Sequence, residues 1–173
     1  VFSDATLQHS SISRNQIHNS DGTGISLQWS GGGGGSALTE VAVSDNVIVS
    51  PNGSGVSLVS LVSGNTLTNI SIHNNTIRDT ANHGIILAGS DMSNLSIVGN
   101  NIRNFSTGPG TYGGINIWGN GVSYVNVSSN VVRDEGSNLL EGYWFICTGQ
   151  LRSWAVVGNV SHLGDAAASE SLR

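Results

Sequence analysis

Few side chains in this 173-residue sequence could carry acid–base chemistry, and several of them share a pattern. His83 stands immediately before Gly84, and Tyr112 precedes Gly113-Gly114 about one repeat later. Arg78, Arg103 and Arg133 each lie three residues after an asparagine, and Asp79, Asn104 and Asp134 come next. A His, a Tyr and an Arg within reach of one another can act as base, acid and carboxylate neutraliser on an acidic sugar. The candidate catalytic set is therefore His83, Tyr112, Arg103 and Asp79. The same residues also admit a plainer arrangement, an Arg/Asp ion-pair ladder on a solvated edge with His83 in a loop. A separate constellation needs no proton transfer. Trp118 and Trp144 offer indole faces that could stack on a sugar ring or a partner protein. Asn116 and Gln28 could add hydrogen bonds to the same ligand, and Arg78 and Arg133 could add charge.

Composition narrows the chemistry further. Charged residues are only 10% of the chain, where an ordinary globular protein has about 25%. Polarity comes instead from amides and hydroxyls: Gly contributes 24 positions and Asn 19. All six basic residues are Arg, which removes every mechanism that needs a lysine, and the net charge of -5 argues against a nucleic-acid partner. The single Cys147 excludes an intrachain disulfide. No apolar run approaches the ~18 residues of a membrane span, and the first ten residues do not read as a signal peptide. Nothing in the pattern calls for a cofactor or a metal ion.

What must position these side chains is a repeat marked by asparagine. Asn15, Asn46, Asn75, Asn100, Asn130 and Asn159 are separated by 31, 29, 25, 30 and 29 residues. Three residues before them stand Ile12, Val43, Ile72, Ile97, Val127 and Val156; two residues after stand Ile17, Ile48, Ile77, Ile102, Val132 and, as an exception in the last repeat, Ser161. Segments such as Ile70-Ser71-Ile72-His73 alternate apolar and polar residues with period 2, which predicts short half-buried strands. A second strand follows each asparagine, which is expected to take a left-handed bend between the two. A third strand follows a glycine: Gly24, Gly55, Gly84, Gly114 and Gly142. Three short strands per repeat predict an all-β parallel β-helix solenoid of about five to six coils of 25–31 residues, in which stacking buries one continuous core. The asparagines should then stack as an amide ladder at a short turn. One domain covers residues 1–173, with coils from about 10 to 163 and a tail or cap over 164–173, and the chain is expected to be a fragment of a longer protein or a subunit of an oligomer.

The lines Ile72-His73-Asn74-Asn75-Thr76-Ile77-Arg78 and His83-Gly84-Ile85-Ile86-Leu87 resemble the generic repeat of the right-handed, pectate-lyase-like parallel β-helix superfamily, which includes pectate lyases, polygalacturonases, alginate epimerases and phage tailspikes. The resemblance covers about residues 10 to 163 and implies a right-handed coil. It also implies an extracellular, cell-surface or virion-associated setting, a polysaccharide or surface glycan as partner, and a homotrimer or covalent flanking domains. In that family substrates lie across the sheet that follows the glycine. Its outward residues here should be Ser26, Ser57, Ile86, Asn116 and Trp144, with Gln28, Val59, Ala88, Trp118 and Ile146 beside them. No carboxylate stands among them, so neither multi-carboxylate calcium chemistry nor a two-carboxylate glycosidase is expected on this face. The reading that results is a carbohydrate-recognising β-helix, part of a polysaccharide-active enzyme or a tailspike-like module. The alternatives are a structural shaft or oligomerisation module without catalysis, and a uronate lyase or epimerase using the His/Tyr/Arg cluster.

Overall fold

In a computed structural model the chain is an all-β parallel solenoid of about five turns. The structure describes residues 6–29, 35, 37–60, 62–110, 112–134, 142–147 and 152–163, except the side chains of Trp29, Trp144, Ile146, His162 and Leu163. The expected tail over 164–173 lies outside the described residues.

The first coil contains β1 (Leu7–Ser13), β2 (Gln16–His18) and β3 (Ile25–Trp29). The second contains β4 (Ala37–Ser44), β5 (Val47–Val49) and β6 (Val56–Ser60). The third begins with β7 (Thr66–His73) and β8 (Thr76–Arg78), and its last strand is the first part of β9 (Ile85–Val98), which continues round the corner into the fourth coil. There β10 (Asn101–Arg103) follows, then the first part of β11 (Ile115–Ser128), which opens the fifth coil in the same way. After β12 (Val131–Asp134) and β13 (Tyr143–Cys147), a further coil starts with β14 (Arg152–Val157) and β15 (Val160–Leu163).

Every strand pairs in parallel with its counterpart one coil on. The strands before each asparagine form sheet 1, those after it form sheet 2 in the order β2-β5-β8-β10-β12-β15, and those after the glycine form sheet 3. Because β9 and β11 pass from sheet 3 into sheet 1, those two sheets make one continuous surface of nine strands. The register joins the apolar columns read from sequence: Ile12, Val43, Ile72, Ile97, Val127 and Val156 on sheet 1, and Ile17, Ile48, Ile77, Ile102, Val132 and Ser161 on sheet 2. Sheet 3 adds Ile25, Val56, Ile85, Ile115 and Tyr143. These columns converge on one core, which is completely closed in the middle coils and thins toward Ile12 and Ile17 at one end and toward the 40% exposed Val156 at the other.

The amide ladder runs the length of the coil. Each Nδ2 donates to the Oδ1 of the next asparagine, from Asn15 through Asn46, Asn75, Asn100 and Asn130 to Asn159, at 2.9–3.0 Å. The same Oδ1 accepts the backbone N–H of the preceding asparagine, and the second Nδ2 hydrogen reaches a carbonyl of the coil before, as Asn100 does at Ile72. Buried amides are thus satisfied on both sides. One expectation is corrected: the left-handed bend is not at the ladder asparagine but one residue earlier, at Arg14, Asp45, Asn74, Gly99, Ser129 and Gly158. The preceding residue turns the chain so that the amide can point inward along the axis. In the first three coils two further non-glycine left-handed residues bend the chain, His9 and Asn19, Glu40 and Ser50, and Asn69 and Asp79.

The glycine column has a different cause. None of Gly24, Gly55, Gly84, Gly114 and Gly142 has a positive φ. A methyl at Gly24, Gly55, Gly84 or Gly114 would strike the side chain two residues after the next asparagine, Ile48, Ile77, Ile102 or Val132, so the chain passes too close to the core for any Cβ.

Candidate functional site

Sheet 3 sets the outward residues in two rows. Strand alternation points Ile115 and Ile117 into the core, leaving Asn116 and Trp118 on the other face of β11. Trp118 is 48% exposed, and in its row the neighbours are Ala88, Val59 and, at the first coil, Gln28, which is also exposed. The small Ala88 next to it leaves the indole standing proud of the sheet. Trp144 pairs in register with Asn116, and its side chain lies outside the described residues.

The other row departs from expectation. Asn116 was expected to offer hydrogen bonds at the surface, yet it is 5% exposed, because His83 covers it: the imidazole Nε2 lies 3.3 Å from its carboxamide. Ser57 in this row is buried as well, as is Ala88 in the row of Trp118. The outer face is therefore a sparse platform with Trp118 as its main exposed apolar group, and not an open groove along both rows.

His83 and Tyr112 do come together, their rings 4.9 Å apart at 80°. His83 is 7% exposed, and the Gly113 N–H donates to its Nδ1 at 3.0 Å. With Nδ1 accepting, Nε2 carries the hydrogen and requires an acceptor. The Asn116 Oδ1 is buried and otherwise without a partner, so the amide orientation that turns Oδ1 toward Nε2 satisfies both groups. Burial holds the imidazole below its usual pKa, partly opposed by the Gly113 carbonyl, which lies 3.2 Å from Nδ1 and would accept from a protonated ring. The neutral ring thereby fastens the long loop of the fourth coil to the third, helped by N–H donations from Ser106, Thr107 and Gly108 to the carbonyls of Asn82, Thr80 and Ala81. Phe105, in that loop, is 1% exposed and belongs to the core.

Arg103 and Asp79 are engaged elsewhere. Arg103 Nε donates to Asn101 Oδ1 at 3.4 Å on its own strand, and Asp79 Oδ1 accepts from Asn104 Nδ2 at 3.0 Å while its other oxygen lies 3.8 Å from Arg78. Arg78, Arg103 and Arg133 stand in register as neighbours on the outer side of sheet 2. Of the expected ion-pair ladder, the described residues show the Arg78–Asp79 pair alone. Tyr124, exposed at a left-handed bend of β11 after Trp118, is an aromatic the sequence reading missed; its column holds polar residues in the other coils, and that contrast was the available signal. Cys147 is no nucleophile, since burial pushes its thiol up to about 11. Among the described residues no helix is long and apolar enough to cross a membrane.

No family profile, curated protein or solved structure matches the chain.

Proposed function

We propose that this solenoid binds a saccharide across the outer face of sheet 3, with the Trp118 indole as the stacking platform, and that it belongs with the right-handed, pectate-lyase-like β-helices acting at or outside the cell surface. The observation that carries the reading is the 48% exposure of Trp118 on a rigid, fully paired strand beside the small Ala88. A large indole held out from a sheet keeps apolar area in water, which a sugar ring can cover. The three-sheet coil and its amide ladder support the family assignment. Proton transfer by His83 is not part of this reading, because both ring nitrogens are engaged within the protein. Calorimetric titration with cellohexaose, mannohexaose and N-acetylchitohexaose should reveal binding to at least one, weakened about fivefold or more in Trp118→Ala through loss of about 1 kcal/mol of stacking. Equal affinity in the variant would refute the platform.

A second reading, a structural module that packs against another subunit, is favoured by Val157 and Val160, two exposed valines on the outer side of β14 and β15. Apolar residues clustered at the surface mark contact sites. Sedimentation of the chain before and after Val157→Asp and Val160→Asp tests it.

A further inference from the structure

Asn116 and Trp118 stand two residues apart on the outer face of β11, yet only the indole meets solvent. The amide is covered by one side chain. His83 reaches over from the third coil, its Nε2 3.3 Å from the Asn116 carboxamide, while its Nδ1 accepts the Gly113 N–H at 3.0 Å. This closed arrangement suits the neutral ring and suits the cation poorly. A protonated Nδ1 would point a hydrogen at the Gly113 N–H, so that two donors meet. The Gly113 carbonyl lies 3.2 Å from the same nitrogen, but it also accepts the Gly84 N–H at 3.4 Å, and turning to it leaves the Gly113 N–H without its acceptor. The ring is 7% exposed, so the charge would sit with little water around it. Among the described residues, the groups that face the ring are the Tyr112 ring from the loop of the fourth coil, the Gly113 peptide and the Asn116 amide, of which Tyr112 alone is titratable. Departure of the imidazole needs no strand to move. His83 lies in the turn before Gly84, and its backbone is held independently, the carbonyl accepting the Gly55 N–H at 3.0 Å.

We propose that His83 is an acid-operated cover over Asn116: the neutral imidazole closes over the amide, and on protonation the ring swings into solvent and bares the carboxamide beside Trp118. Opening leaves the Gly113 N–H and the Asn116 amide to water, which satisfies both. Asn116 then supplies a donor and an acceptor about 6.6 Å along the strand from the indole, where they meet the hydroxyl groups of a ring stacked on Trp118. This use of the cover rests on the saccharide reading of Trp118; the opening itself does not. The open ring takes up its proton as an exposed histidine does, near pH 6.5, and the closed ring only at lower pH. Between those values each unit of acid multiplies the ratio of open to closed by up to about tenfold. By linkage, a saccharide that uses Asn116 must in turn favour protonation of His83.

The test measures hydrogen exchange of three side-chain amides in the ¹⁵N-labelled chain at pH 7.5 and pH 5, each as protection relative to a free asparagine amide at the same pH. They are Asn116, the exposed Asn126 on the same strand and the buried ladder residue Asn100. Protection of Asn116 should fall about threefold or more at pH 5. Asn100 should keep its protection, which shows the coil intact, and Asn126 should be unprotected throughout. In His83→Gln the protection of Asn116 should be equal at the two pH values, and in His83→Ala it should be low at both. Calorimetric titration with cellohexaose, mannohexaose and N-acetylchitohexaose should show the wild type binding about threefold or more tighter at pH 5, and His83→Gln indifferent to pH. Asn116 protection that stays level between pH 7.5 and pH 5 would overturn the cover, as would a fall matched at Asn100, which reports unfolding of the coil. An opening that leaves saccharide affinity unchanged would overturn its part in binding. No saccharide bound at either pH, with Asn116 protection falling as expected, would refute the Trp118 platform and uphold the cover.

Discussion

At His83 one side chain decides between a catalytic and a structural use of the same atoms. A general base needs a ring nitrogen within reach of a substrate proton. Here Nδ1 accepts from Gly113 and Nε2 faces Asn116, so the residue acts as a clamp between coils. Its position before Gly84 was readable, as was the nearness of Tyr112; its burial was not, because that depends on a backbone amide thirty residues away. Burial lowers the folded-state pKa below the ordinary value near 6.5, so the unfolded chain takes up the proton first. The clamp therefore contributes stability above about pH 6.5, and that contribution is lost as pH falls through the lowered value. Urea midpoints measured from pH 7.5 to pH 5 should fall more steeply for the wild type than for His83→Gln, which has nothing to protonate. Parallel slopes would show that His83 titrates alike in folded and unfolded chains.

Among the elements, the short corner between sheets 1 and 2 was the most legible. Six asparagines at intervals of 25–31 residues, flanked by apolar residues at fixed offsets, have one simple stacking solution, and the observed register follows it column by column. The bend itself was placed one residue late, since Arg14, Asp45 and Ser129 lack the glycine or asparagine signature of a left-handed residue, and the neighbouring ladder asparagine attracted that role. The continuous strands β9 and β11 also escaped the periodicity, because a positive φ at Asn94 or Tyr124 bends a strand without interrupting its pairing. The ladder makes a sharp energetic prediction. Replacing Asn100 by Ala removes the acceptor of two Asn75 donors and the donor to both Asn130 and Ile72, all buried. Each orphaned group costs about 1–3 kcal/mol, so Asn100→Ala should lower unfolding free energy by about 3 kcal/mol or more, whereas the exposed Asn126→Ala should cost less than about 0.5 kcal/mol. Equal losses in chemical denaturation would contradict the ladder.

For the whole molecule, the solenoid separates its chemistry by face. Sheet 3 carries the exposed indole of Trp118, sheet 2 carries the arginine column, and the ladder and glycines hold the faces at fixed spacing. The fold followed from repetition, which every coil restates; the site did not, because it depends on which outward residues are covered. Asn116 and Trp118 are two residues apart on one strand, and only the contact with His83 separates a buried amide from an exposed ring. The most direct test of the saccharide platform is an indole N–H spectrum of ¹⁵N-labelled protein, with Trp118 assigned from Trp118→Phe and Trp154 from Trp154→Phe. On titration with the tightest-binding neutral hexasaccharide, the Trp118 resonance should shift in proportion to occupancy. The Trp154 resonance, whose Nε1–H donates to the Val122 carbonyl at 3.4 Å, should stay in place. A Trp118 resonance that remains fixed while the saccharide is bound would contradict the account.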